Sequence, residues 1–319
     1  LLGGEEMNVG VIGVGYMGRN HARILSEMGV LSSISDIDFG AAKEVSTSYK
    51  CKAYTNYEDM IENENLDAVT IATPTNTHKD IALRCLKEGL NVLVEKPIGR
   101  DLKEAKEIIK TSKKEKKILM VGHIERFNPV VGLVKNYINP DIISVDFRRL
   151  GLPPKNRDVD VILDLCIHDI DIARYLLGEL ELINSVGVEE EGILEYVAVK
   201  FRAGKVIVNI EANRLSPVKI RKFYLLDREK MIEVNYITQT IEIYKGVKTS
   251  EYPRTFGEFV LKGIQLTRES LSLIPEEPLK IELDHYLRCI RENKEPLVTY
   301  DDVLRVMELS EEIRNKVAL

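Results

Sequence analysis

Tryptophan is absent from the 319 residues, and cysteine occurs only four times. Cys51, Cys85, Cys166 and Cys289 are far apart and form no C-x-x-C pair, which argues against a disulfide framework or a zinc site and predicts a reducing, cytoplasmic setting. Positive charge is in deficit: 45 Lys and Arg face 51 Asp and Glu, for a net charge of -6. A phosphate backbone demands a clustered basic surface, so no nucleic-acid partner is expected. The "KKEKK" run at Lys113–Lys117 is short, is broken by Glu115, and reads as the solvated end of a helix. No apolar run approaches the roughly eighteen residues of a membrane span. The opening "LLGGEEMNVG" lacks the apolar core and cleavage site of a secretory signal, so neither membrane nor export is expected. Internal repeats and low-complexity segments are missing too. What remains, 44% hydrophobic and 30% charged, is a globular chain with length for two domains.

The first of these follows from periodicity. "NVGVI", "VLSSIS", "DAVTIA", "NVLVE" and "KILMV" read as strands, with the helices "RNHARILSEMG", "FGAAKEVSTSY", "HKDIALRCLKEG" and "DLKEAKEIIKTSKK" between them. Repeated βα units predict a parallel sheet covered on both faces, an α/β Rossmann domain over residues 7–122. Gly29 and Gly89 stand where helix C-termini are expected. From 123 to 319 the texture changes to α+β. A helix after Pro129 and a strand at "IISVDFRRL" precede an apolar helix over 159–178. "YVAVKFRAGKVIVNIEANRL" and "KFYLLDREKMIEVNY" then read as hairpins of an open-faced, mainly antiparallel sheet, and two helices close the chain.

G-x-G-x-x-G occurs at Gly13, Gly15 and Gly18, directly after a strand and before a helix. The first glycine permits the turn, the second lets the backbone approach a pyrophosphate, and the third lets helix and strand pack closely. Tyr16 and Met17 belong to the same turn. Asp36, eighteen residues after Gly18, ends the second strand, where a carboxylate accepts both ribose hydroxyls of NAD and repels a 2′-phosphate. No Arg follows in "DIDFG", so NAD is favoured over NADP. Thr73, Pro74 and His78 in "TPTNTH", and Glu95 and Lys96 in "EKP", follow two further strands, at the sheet edge where ligands bind. In "VDVILDLCIHDIDIARYLLG" Asp160, Asp164, His168 and Asp171 recur at helical spacing, so they share one face of an otherwise apolar helix. Spacing alone leaves a packing detail and a catalytic stripe evenly open, with a metal set as a third and weaker reading.

Taken in order, G-x-G-x-x-G, "TPTNTH", "EKP", "GHIERFNP" at Gly122–Pro129 and D-x-x-x-H at Asp164–His168 resemble the glucose–fructose oxidoreductase and inositol dehydrogenase (Gfo/Idh/MocA) family along nearly the whole chain. The resemblance implies an NAD-dependent sugar dehydrogenase with Lys96, Asp164 and His168 as the catalytic group, and with the polar stripe lining a cleft between the domains. Chemistry fits: oxidising a secondary alcohol needs a base for the hydroxyl proton, for which His is suited, and a cation for the developing alkoxide. Lys96 and His168 both suit the principal base. A metal is not expected, because Lys96 would compete with it. His21 reads as structural, and His123 and His285 carry no functional argument.

Arg126 and Asn128 at the domain crossing, and Arg148, Arg149, Lys155 and Arg157 ahead of the helix, suggest a phosphate-bearing or carboxylate substrate or, with nearly equal weight, a solvated strand edge. Arg126, Asn128, Arg149 and Arg157 are the substrate-binding candidates. "EANRLSPVKIRKFYLL" and "IEVNYITQTIEIY" most resemble the branch that oxidises nucleotide-linked amino sugars, such as the 3-hydroxyl of UDP-N-acetylglucosamine. Oxidation of myo-inositol or a free sugar is the second expectation, and an NAD-binding regulator without turnover the third. The sheet has few helices to cover both its faces, which predicts a homodimer or homotetramer joined through it.

Overall fold

A computed structural model describes residues 7–152, 158–246, 255, 257 and 266–318. Two compact units emerge. The first runs through Phe127 and takes in Asp158, Val159 and Glu277–Glu311. The second holds the residues from Asn128, those from Asp160 to Glu276, and those from Glu312 onward. The closing helices therefore do not all fall in with the residues after 122.

Elements β1 (Val9–Ile12), α1 (Tyr16–Glu27), β2 (Leu31–Ser35), α2 (Phe39–Tyr49), β3 (Lys52–Tyr54), α3 (Tyr57–Asn63), β4 (Ala68–Ile71), α4 (Thr75–Lys87), β5 (Asn91–Glu95), α5 (Leu102–Glu115) and β6 (Leu119–Gly122) build the first unit. The sheet order is β3-β2-β1-β4-β5-β6 and every pairing is parallel. β1, β4 and β6 are buried throughout, as strands covered on both faces must be. The order reverses between β1 and β4, the switch point at which α/β sheets bind ligands. The five expected strands and four helices are present; β3 and α3 went unread because three residues and two turns are too short for a period to show. Asp38 caps α2 through Gly40 and Ala41, and Asp101 caps α5 through Glu104.

The second unit begins with α6 (Pro129–Val134), β7 (Ser144–Leu150) and α7 (Ile167–Leu177). β8 (Glu181–Glu190), β9 (Ile193–Ala203), β10 (Val206–Asn213), β11 (Ile220–Leu226), β12 (Lys230–Asn235), β13 (Thr240–Gly246) and β14 (Leu266–Ser272) follow. Their sheet runs β14-β13-β12-β11-β7-β10-β9-β8. Both expected hairpins are there, but β7 and β10 pair in parallel, so the sheet is mixed. Along β7, Val145, Phe147 and Arg149 are buried, whereas Asp146 and Arg148 face the open side. The helix read over 159–178 is not a single α-helix: Ile162–Cys166 forms a π-helical turn ahead of α7.

The chain closes with α8 (Pro278–Glu292) and α9 (Tyr300–Lys316). Tyr286 Oη of α8 donates to the Val69 carbonyl oxygen at 3.4 Å, and α8 packs on α1. No described helix is long and apolar enough to cross a membrane.

Candidate active site

The first unit gathers its candidates at the carboxyl edge of β1, β2, β4 and β5. Gly13 has φ +85°, and a Cβ there would stand 2.8 Å from the Ala72 oxygen. A Cβ on Gly18 would lie 1.8 Å from the Gly13 oxygen, so no other residue fits. Gly15 is the opposite case: it is the N-cap of α1, no side chain caps the helix, and a Cβ there would meet nothing within 4 Å. The turn thus leaves space over the amino end of a twelve-residue helix, where an anion is stabilised by unpaired N–H groups and the helix dipole. Tyr16 is exposed beside it and Met17 half-buried. Asp36 is tied to the turn, its Oδ2 accepting from Val14 N at 2.7 Å and its Oδ1 from Asp38 N at 2.9 Å. Ile37, 96% exposed, follows it.

The loops after β4 and β5 are laced together. His78 is buried, with Nδ1 2.8 Å from the Pro97 oxygen and Nε2 2.8 Å from the Thr73 oxygen. Both acceptors are carbonyls, so this ring fastens one loop to the other. Thr77 Oγ1 donates to Thr73 Oγ1 at 2.7 Å, Pro74 is the N-cap of α4, and Thr75 N donates to Asp158 Oδ2 at 2.9 Å. The Lys96–Pro97 peptide is cis. Lys96 itself is half-buried. Glu95 points the other way, into the interior, 2.8 Å from His21 Nε2. Burial alone would push its carboxyl up, but His21, Lys96 and His78 bring it below the usual carboxylate range. Glu282 of α8 is fully buried nearby and is pushed well above that range by burial and then by the charge of Glu95, so it is the neutral partner. It lies on the buried face of α8 with Leu279, Leu283 and Tyr286, a spacing that marks an inward Glu.

The second unit divides the polar stripe. Asp160 accepts from Leu163 N at 3.0 Å and pairs with Arg314 at 2.7 Å. Asp164, on the π-helical turn, pairs with Arg214 at 3.3 Å, while His168 and Asp171 are buried on α7. Arg214 follows β10 and donates through Nε to Glu195 Oε2 at 2.6 Å. Neither Arg214 nor Glu195 was singled out in the sequence; they lie 50 and 31 positions from Asp164.

Three of the substrate-binding candidates are engaged within their own units. Arg126, in the first unit, donates to Asp302 Oδ2 at 2.9 Å and to the Leu297 oxygen at 3.3 Å. Asn128, in the second, bonds to the Tyr236 oxygen at 3.1 Å and caps α6 through Val130 N. Arg149 is buried and clasps Asp169 through Nε at 2.9 Å and Nη2 at 2.8 Å, with its guanidinium 5.1 Å from the Tyr236 ring centre. All three side chains hold their own unit together. Arg148 faces the open side of the sheet, and Lys155 and Arg157 lie outside the described residues. No group of three or more metal-ligating residues occurs among the described residues.

Residues 7–123 match an oxidoreductase family with an NAD-binding Rossmann fold. UDP-N-acetylglucosamine 3-dehydrogenase of Acidithiobacillus ferrooxidans is 27% identical over 292 residues, 89% of each chain. Its solved structure superposes with a TM-score of 0.84 at 26% identity, covering 98% of this chain and 97% of that one. Scyllo-inositol 2-dehydrogenase (NAD(+)) of Bacillus subtilis is 28% identical over 96% of this chain and 92% of its own length. The residues present fit NAD: an open cradle at Gly15, a helix amino end, and Asp36 beside it. The match to the Gfo/Idh/MocA family of NAD-binding oxidoreductases is thus carried by the dinucleotide domain, residues 7–123.

Proposed function

We propose that this protein oxidises a secondary hydroxyl of a nucleotide-linked amino sugar, the 3-hydroxyl of UDP-N-acetylglucosamine being the first candidate. The observation that carries this reading is likeness to a UDP-N-acetylglucosamine 3-dehydrogenase over nine-tenths of both chains, with Lys96, Asp164 and His168 all present. Gly13, Gly15, Tyr16, Met17, Gly18 and Asp36 hold the dinucleotide, with Thr73 and Pro74 at the neighbouring strand end. Bound NAD supplies the hydride acceptor.

The chain's own residues do the rest. Lys96, carried by the loop after β5 and secured through Pro97 to His78, is the cation for the alcohol oxygen as charge develops on it. His168 is the base that accepts the hydroxyl proton, and Asp164 positions it or holds an adjacent sugar hydroxyl. Arg157 is retained as a cation for the diphosphate. Arg126, Asn128 and Arg149 are left out, because their polar groups are engaged inside each unit.

The open sheet face supports a second part of the reading, association with another copy of this chain in the cytoplasm. A hollow of about 560 Å³ there is flanked by Val186, Leu226 and Met231, with Arg148 beside Glu211 at 3.7 Å and with Lys200 and Asp146 on either side of Asn209. A face that carries apolar groups and both signs of charge complements itself about a two-fold axis. Light scattering should show a dimer or tetramer, reduced to a monomer by Met231→Lys with Val186→Lys.

The test of activity is growth of reduced-nicotinamide absorbance with NAD and UDP-N-acetylglucosamine, with a hydroxylamine trap for the ketone. Lys96→Ala and His168→Ala should each lower kcat by about 10²–10⁴, the latter leaving NAD affinity intact. Growth with scyllo- or myo-inositol alone would keep the enzyme and overturn the substrate. Silence with every alcohol despite NAD binding would leave a regulator.

A further inference from the structure

We propose that Arg214, anchored on Glu195, is the positioning residue for Asp164. This rests on the reading of Asp164 and His168 as the catalytic pair of the second unit. The argument starts from how unevenly the three charges are buried. The side chain of Arg214 is 1% exposed and that of Glu195 is 0% exposed, whereas that of Asp164 is 26% exposed. A buried guanidinium needs a carboxylate, and Glu195 fills that need with the shorter bond, 2.6 Å from Nε. Asp164 is open to water, so its charge does not depend on Arg214 for solvation. The contact from Nη1 to Asp164 Oδ2, at 3.3 Å, therefore fixes direction more than it stabilises charge.

The backbone is built to make that contact. Arg214 N donates to the Glu195 oxygen at 3.0 Å, which carries the β9–β10 ladder one residue beyond its last paired position, Asn213 opposite Tyr196. Arg and Glu thus come from adjacent strands at a fixed register. On the other side, Ile162–Cys166 widens into a π-helical turn, and that turn carries Asp164. π-Helical turns are rare and concentrate at functional sites, since each holds one residue off the α-helical path. Its start is secured independently: Asp160 accepts from Leu163 N at 3.0 Å and is itself held by Arg314. The turn is clamped at Asp160 and steered at Asp164.

Arg214 touches neither substrate nor cofactor in this scheme; it acts through Asp164. A misplacement of a catalytic group by an ångström costs on the order of 10²-fold in rate. Steady-state kinetics of Arg214→Met, Arg214→Lys, Asp164→Asn, Arg214→Met/Glu195→Gln and Arg214→Met/Asp164→Asn should separate steering from support. NAD affinity and circular dichroism report whether each variant is folded. The paired Glu195→Gln change avoids a lone buried carboxylate if Arg214→Met alone does not fold. We expect Arg214→Met, or its paired form, to lower kcat by about 10–100-fold with KM for NAD unchanged. Arg214→Lys should recover most of that loss. In the Asp164→Asn background the further loss should be below about two-fold, because the two changes remove one interaction. Losses that multiply independently would overturn the positioning role and leave the catalytic reading standing. Full activity in Asp164→Asn would overturn both.

Discussion

The glycine turn of the first unit and the β7–β10 rim of the second both end apolar strands with polar groups, and they do so by different means. The turn works with backbone: open space at Gly15, a helix amino end, and one carboxylate bonded to Val14 N. The rim works with side chains: Arg149 on Asp169, and Arg214 on Glu195 and Asp164. A backbone site is written locally, as glycine spacing. A side-chain site is assembled from strands far apart in sequence, and each of its charges depends on a distant partner.

Four substitutions sharpen that contrast. If Arg149 is part of the rim's framework, Arg149→Met should cost about 3–5 kcal/mol in urea unfolding, since it strands the buried carboxylate of Asp169. Arg149→Met with Asp169→Leu should recover most of it. A raised substrate KM at unchanged stability would instead make Arg149 a ligand. If the turn is the backbone site, Gly18→Ala drives a methyl group into the Gly13 oxygen and should weaken NAD binding by about 100-fold or more, roughly 3 kcal/mol by titration calorimetry. Asp36→Ala should be milder, with about 10–100-fold lost for NAD and a narrowed gap to NADP, because charge-assisted bonds are exchanged for water.

The smallest effect tests the ion-pair device in the first unit. Burial would raise the Asp302 carboxyl, but Arg126 and Thr299 hold it down to about 2. A carboxyl whose pKa is depressed by folding adds stability above its unfolded value, near 4, and loses it as the pH falls from about 4 to about 2. Thermal unfolding across that window should lose on the order of 1–2 kcal/mol, and Asp302→Asn should flatten the slope.

This contrast also explains what the sequence disclosed. The placement of Asp36, Lys96 and His78 beyond strand ends is legible because each sits a fixed step beyond a strand whose apolar run is visible. The charge of Arg149 suggests a ligand, yet the alternation in "SVDFRRL" puts it with Val145 and Phe147 on the covered face, and Arg148 on the other. Glu195 and Arg214 gave no such sign, because a register between β9 and β10 is settled only when the hairpin forms. The π-helical turn was hidden for a similar reason: its residues satisfy the period of an ordinary helix.

The first unit is assembled from both ends of the chain, and that bears on its birth at the ribosome. Nascent domains usually fold in order, amino-terminal first. Here the Val69 carbonyl waits for Tyr286, α1 waits for α8, and Leu102 N waits for Glu311. A nascent chain released only as far as Phe127 holds every glycine of the nucleotide turn, yet lacks the helix that covers α1. Dinucleotide binding should therefore begin only after Glu277–Glu311 have emerged, and a fragment ending at Phe127 should bind it more weakly than the chain that carries them.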